Sequence, residues 1–110
     1  MRSKVEIEAG ICGFKTEVTA ESEDSQYVKF EISSDCDKIR DLGRELQKRG
    51  VVDSYNEINP ASSSIVMEVV KSQLKGCCAG CAVPVGIFKG MQVAAGLALP
   101  KDVFIRITKE

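Results

Sequence analysis

Val5, Ile7 and Ala9 alternate with Lys4, Glu6 and Glu8 at the head of the chain, the period-two pattern of a strand with one face in water. Gly10 and Gly13 then bracket Cys12, and the alternation resumes at once, with Phe14, Thr16, Val18 and Ala20 set against Lys15, Glu17, Thr19 and Glu21. The polar run Ser22-Glu23-Asp24-Ser25 predicts a turn. Val28, Phe30 and Ile32, opposed to Tyr27, Lys29 and Glu31, predict a third strand that ends at Ser33-Ser34-Asp35-Cys36. Strands joined by such short connections form an antiparallel meander, here with one apolar face.

After Asp35 the period becomes helical. Ser34 or Asp35 can cap a helix whose stripe is Ile39, Leu42 and Leu46, and Gly50 offers its C-terminal stop. From Val51 to Ile58 the pattern allows a short extended piece. Asn59-Pro60 then predicts a cap and a first helical residue, followed by a broad apolar face of Ile65, Val66, Val69, Val70 and Leu74 that stops at Gly76. Pro84 predicts the opening of another helix, because its missing N–H and fixed φ do no harm in a first turn. That helix is apolar on nearly every side, with only Lys89 and Gln92 strongly polar, so it belongs in the core with Phe88 and Met91 inside. Gly86, Gly90 and Ala94 recur at intervals of four and make a stripe along which another backbone can approach closely.

Pro100-Lys101-Asp102 breaks this helix, and Val103, Ile105 and Ile107 alternate with Phe104, Arg106 and Thr108, which predicts a strand that joins the meander. Strands are thus segregated from helices. The order predicts a single α+β domain over residues 1–110. Its sheet would be mostly antiparallel, a three-strand meander plus the C-terminal strand, with about three helices on one face.

At 110 residues, 44% apolar and 28% charged, the chain can bury a core without disulfides. A net charge of -1, with no Lys/Arg run longer than two, argues against binding nucleic acid through a basic patch. The first ten residues hold no apolar core of signal-peptide length, and the apolar helix, interrupted by Lys89, falls short of a bilayer. These features predict a cytoplasmic protein without a membrane partner. In that reducing compartment five cysteines point to metal binding, catalysis or simple burial rather than to a disulfide framework. The chain has no histidine, so it cannot by itself build a Ser-His-Asp or Cys-His device or a His-containing metal site.

Three of the five cysteines fall within Gly76-Cys77-Cys78-Ala79-Gly80-Cys81. Cys78 and Cys81 have the C-x-x-C spacing that lets two thiolates chelate one metal or close a small disulfide loop. They lie just upstream of the Pro84 helix, whose free N–H groups and positive dipole end favour anions, so a thiolate at Cys78 or Cys81 is expected to form more readily than on a free chain. Cys12 follows the first strand and Cys36 the third, which in an antiparallel meander puts both at the same end of the sheet. All four are therefore expected to gather near the start of the Pro84 helix. The competing reading is that small, buried cysteines fill space beside a core helix. Glu31, Asp35, Asp37 and Asp41, around Cys36, read as a solvated acidic face.

A Cys12-Gly13 pair between early strands, Cys36 ending the third strand, and Cys78 or Cys81 before an Ala-containing C-terminal helix together resemble the IscU/NifU-type iron-sulfur cluster assembly scaffolds, over roughly Val5 to Leu97. In that family three cysteines and an Asp hold a nascent cluster or a zinc ion at one end of a small α+β domain. Here Cys12-Gly13-Phe14 stands where the family pattern reads C-G-D, so the Asp ligand is missing. Ala61-Ser62-Ser63-Ser64 looks like the family's A-S-S-S helix start but comes a full helix later, and the last strand is additional. The resemblance implies Cys12, Cys36, Cys78 and Cys81 as ligands of an iron-sulfur cluster or zinc, with Cys77 a spare. It also implies a scaffold or carrier rather than an enzyme, with cluster or sulfur donor and acceptor proteins as partners. Four thiolates suit zinc, two-iron and four-iron clusters alike.

Two other classes fit the same residues. A thiol-disulfide oxidoreductase would use Cys78 as nucleophile and Cys81 as resolving partner, although the C-x-x-C follows a predicted helix rather than the strand of a thioredoxin-like unit. A small interaction domain would use its cysteines only to hold a stabilising zinc.

Overall fold

A computed structural model describes residues 1–110. Its sheet follows the alternation. β1 (Arg2–Glu8), β2 (Lys15–Glu21) and β3 (Tyr27–Ser34) pair antiparallel in chain order. The register sets Val5 opposite Val18 and Val18 opposite Ile32, so the apolar positions line up on one face. The other face carries exposed ion pairs, among them Lys4–Glu17 at 3.4 Å and Lys15–Glu8 at 3.8 Å, which add little stability in water.

Helices cover the apolar face, completing the α+β architecture. α1 (Asp37–Lys48) packs on β3 with Ile39, Leu42 and Leu46 buried. α4 (Val83–Ala94) packs on β1 and β2, burying Val83, Ile87 and Met91 completely. The small-residue stripe faces β1: a Cβ at Gly86 would stand 2.3 Å from Ile7 Cδ1, and one at Gly90 would stand 2.9 Å from Val5 Cγ2. Met91 is a core residue as expected, whereas Phe88 is only half-buried at the core's margin.

The fourth strand is not where the alternation put it. β4 (Val52–Asp53) pairs antiparallel with β3 through Val28–Val52 and Tyr27–Asp53, giving the order β1-β2-β3-β4. Lys101–Glu110 joins no ladder and is exposed throughout. An alternating segment specifies a face to cover, not which sheet edge supplies its partner, and the open side of β3 is filled by the nearer Val52, which is fully buried.

The region after β4 also departs from its pattern. A short helix, α2 (Ser54–Ile58), is capped by the Asp53 carboxylate, which accepts from the Tyr55 N–H at 3.0 Å. α3 (Ile65–Gln73), which packs beside α1, begins five residues later than Asn59-Pro60 suggests. Asn56 holds the intervening loop through Ser63 O and the Ala61 N–H, and Ser64 serves as the cap, its hydroxyl accepting from the Met67 N–H at 3.1 Å. The buried Glu57 carboxylate accepts from the Ile65 N–H at 2.9 Å, the Val66 N–H at 2.8 Å and the Ser64 hydroxyl at 2.8 Å. One carboxylate thus satisfies two of the free amides that open α3, and Ser64 takes a third.

Counted from Gly76, the apolar stretch through Ala94 reaches 19 residues, longer than the sequence reading allowed and enough by length and composition to cross a membrane. In the fold it is divided between a 3-10 turn over Gly76–Gly80 and α4. The inner face of α4 is covered by the sheet.

Candidate thiolate site

Topology carries Cys12 and Cys36 to one end of the sheet. Cys12 sits in the tight β1–β2 connection, where Gly10 (φ 93°) and Gly13 (φ 74°) adopt the left-handed backbone that a residue with a Cβ disfavours, and the Gly13 N–H closes the turn on Gly10 O at 2.9 Å. The chain leaves β3 beside the start of β2, because the Asp35 N–H donates to Lys15 O at 3.1 Å. Cys36 follows as the N-terminal cap residue of α1, in place of Ser34 or Asp35, with its own N–H held by Ser34 Oγ at 3.1 Å.

α4 begins over the same end, since Gly86 lies against Ile7 near the close of β1. The Gly76–Gly80 turn precedes it, and the Cys81 N–H donates to Cys78 O at 3.1 Å, which folds the C-x-x-C compactly. Cys36, Cys78 and Cys81 are half-buried against the core, while Cys12 and Cys77 are exposed; all five are free thiols. Lys38, in the first turn of α1, donates through Nζ to Cys78 Sγ at 3.6 Å.

The Cys81 thiol is pushed above its ordinary pKa, first by burial and then by the nearby sulfurs of Cys12, Cys36 and Cys78, each of which would repel a second negative charge. The Val83 N–H, donating to Cys81 Sγ at 3.5 Å, pulls in the other direction but does not prevail. A helix start by itself eases the formation of a thiolate. At Cys81 desolvation outweighs it. The same set of influences puts the sulfurs of Cys12, Cys36 and Cys78, from three separated parts of the chain, within electrostatic reach of Cys81, and Cys77 is not among them.

Electrostatic reach is not coordination. No three Cys, Asp or Glu side chains are grouped closely enough to hold a metal ion in this conformation. Three of the four acidic residues around Cys36 are occupied elsewhere: Asp37 pairs with Arg40, Asp41 with Arg44 at 2.6 Å, and Asp35 Oδ2 accepts from the Lys15 N–H at 3.3 Å. Lys38 had no signal in the sequence, since it stands 40 residues from Cys78 and only the packing of α1 against the turn joins them. The Val83 N–H could have been anticipated as one of the amides a helix start leaves free.

No curated protein and no solved structure matches the chain. A family model does match residues 3–107, from within β1 through α4 and most of the C-terminal segment. The chain belongs to that family, DUF6951, a family of unknown function.

Proposed function

We propose that the cysteine end of this domain takes up a thiophilic cargo, an iron-sulfur cluster or a zinc ion, through Cys12, Cys36, Cys78 and Cys81 and holds it for delivery to an acceptor protein. The observation that carries the reading is topological: the Cys12 turn between β1 and β2, the start of α1 at Cys36 and the turn before α4 with Cys78 and Cys81 come to one end of the sheet, where the sulfurs of Cys12, Cys36 and Cys78 act on Cys81. Soft thiolates are the donors such cargo prefers, and the chain offers no histidine to replace them. The resemblance of the cysteine pattern to that of IscU/NifU-type scaffolds adds to it.

Loading requires the sulfurs to draw closer than they stand. Around a tetrahedral zinc with Zn–S distances of about 2.3 Å, neighbouring sulfurs lie roughly 3.8 Å apart. The Cys12 hairpin turn, exposed and flanked by Gly10 and Gly13, is the part freest to move, whereas Cys36, Cys78 and Cys81 pack against the core. A site that closes only on its cargo is suited to release.

Anaerobic reconstitution with ferrous iron and sulfide, and separately with zinc, followed by metal analysis and visible absorbance, tests the proposal. Stoichiometric metal that is lost in Cys12→Ser, Cys36→Ser, Cys78→Ser and Cys81→Ser supports it. Protein that holds no stoichiometric metal at neutral pH overturns it. A second reading draws on the Lys38 ammonium beside Cys78, which would suit a dithiol that exchanges with disulfides, Cys81 acting as the resolving thiol. A metal-free protein with a redox-active Cys78–Cys81 pair would favour that reading.

A further inference from the structure

The strand order leaves β1 with only one neighbour, so one edge of a seven-residue strand has no partner in the sheet. Val5 and Ile7, on its inner face, are only half-buried, so the core is not closed on that side. The same chain carries an unpaired strand-like segment. Val103, Phe104, Ile105 and Ile107 range from 51% to 89% exposed, and no residue from Lys101 onward makes a backbone hydrogen bond to the rest of the protein. Exposed apolar side chains in period two beside an open sheet edge are a liability that proteins ordinarily cover.

We infer that Val103–Ile107 of one copy docks as an added strand on the open edge of β1 in a second copy, the two tails exchanging about a two-fold axis. Facing Val103, Ile105 and Ile107 inward extends the row begun by Val5 and Ile7 beneath α4. Phe104 and Arg106 then fall on the outer face, where β1 presents Glu6 and Glu8. Arg106 already lies over the Phe104 ring, 5.5 Å from its centroid, so these two side chains share one side of an extended tail.

A second copy suits the tail better than its own sheet does. Gly96–Pro100 lines one groove with Met1 and Arg2, at the very start of β1, so the tail leaves beside its own edge strand and still does not pair with it. The protein is elongated instead, 44 Å along its longest axis against 28 and 25 Å. Exchange gives each copy one donor tail and one acceptor edge, so a two-fold pair closes with nothing left over. The family match runs to residue 107 and so includes this segment with the folded body. The proposed contact runs along the edge of β1, includes none of the cysteines and does not depend on them.

Light scattering coupled to size exclusion, with the full chain at about 100 µM, tests the inference. The expected mass is twice 11.9 kDa. Ile105→Asp should return the mass to that of one chain while leaving the far-ultraviolet dichroism unchanged, because the tail holds no helix or strand and makes no backbone hydrogen bond to the body. The β1–β2 register, flanked by Ser22 N–H to Met1 O and Ala9 N–H to Phe14 O, turns the odd-numbered amides of β1 to β2 and leaves those of Lys4 and Glu6 on the open edge. Amide exchange at Lys4 and Glu6 should be slowed by roughly an order of magnitude in the wild type relative to Ile105→Asp. A monomeric wild type, an Ile105→Asp protein of undiminished mass, or equal exchange at Lys4 and Glu6 in the two proteins would each overturn it.

Discussion

The hydroxyl of Ser3 in β1 donates a buried hydrogen bond of 2.6 Å to the carbonyl oxygen of Gly90, two turns into α4. A strand side chain reaches a helix carbonyl only where helix and sheet are unusually close, and the missing Cβ at residue 90 allows it. The contact joins the two elements that frame both the cysteine end of the molecule and its open edge.

Gly90→Ala is therefore expected to destabilise the protein by about 1–2 kcal/mol. The new Cβ would stand 2.9 Å from Val5 Cγ2 and 3.3 Å from Ser3 Oγ. Overpacking of this kind costs about 1–3 kcal/mol, which exceeds the roughly 1 kcal/mol that alanine gains over glycine in a helix. Chemical denaturation measures it; an increase in stability would show that α4 can lift from β1 without loss.

Met91→Ala should cost about 2–5 kcal/mol, since Met91 is fully buried at the centre of the core. Phe88→Ala should cost less than the same change at Met91, because half-burial leaves part of its surface in water already. Equal losses in denaturant midpoints would contradict the position of Phe88.

Glu57 presents a different case, a buried carboxylate with no cation and three donors at the head of α3. Glu57→Ala leaves those donors unsatisfied, at a cost of about 1–3 kcal/mol for the first buried group alone. Glu57→Gln keeps an acceptor oxygen and should fall between the two. Thermal melts at neutral pH would rank wild type, Gln and Ala in that order.

The turn before β3 supplies an acid dependence. Asp24 Oδ1 accepts from the Tyr27 N–H at 2.9 Å, the Gln26 N–H at 3.0 Å and the Ser22 hydroxyl at 3.3 Å, and the Tyr27 bond does most to hold its carboxyl below the ordinary 3.8. As pH falls the unfolded chain takes up this proton first, so the unfolded state gains relative to the folded one. The stabilisation is present above the ordinary carboxylate range and is lost as pH drops through the folded value. Asp24→Asn should flatten the decline of Tm below about pH 4 relative to wild type. An unchanged slope would mean that the turn does not respond to this charge.

The cysteines are expected to divide into four and one. Cys77→Ser should load metal as the wild type does, because Cys77 is exposed and absent from the group acting on Cys81. Zinc uptake should weaken as pH falls, since protons compete for thiolates, and most at the half-buried Cys81 whose thiol already resists ionisation. Titration across pH with a competing chelator would check the trend, and tighter binding in acid would rule out thiolate ligation.

Most of the framework was legible from residue order. The period-two runs through Ile7, Val18 and Phe30 and the helical stripe Ile39-Leu42-Leu46 fall in three strands and α1, because each pattern records which side of one local element is dry. The glycines at 86 and 90 announced a close neighbour for the same reason. Even the shared end for Cys12 and Cys36 followed from residue order alone, since successive antiparallel strands return the chain to it. Decisions taken between distant segments were not legible. That Val52 rather than Val103 fills the side of β3 depends on competition for an edge, and the start of α3 at Ile65 depends on Glu57 reaching its amides from α2. The pairing of Lys38 with Cys78, and the excess of burial over the Val83 N–H at Cys81, arise only once α1 and the Gly76–Gly80 turn are packed together. Periodicity encodes a residue's relation to water. Partners, edges and the balance between desolvation and local charge are set by what the folded chain brings alongside.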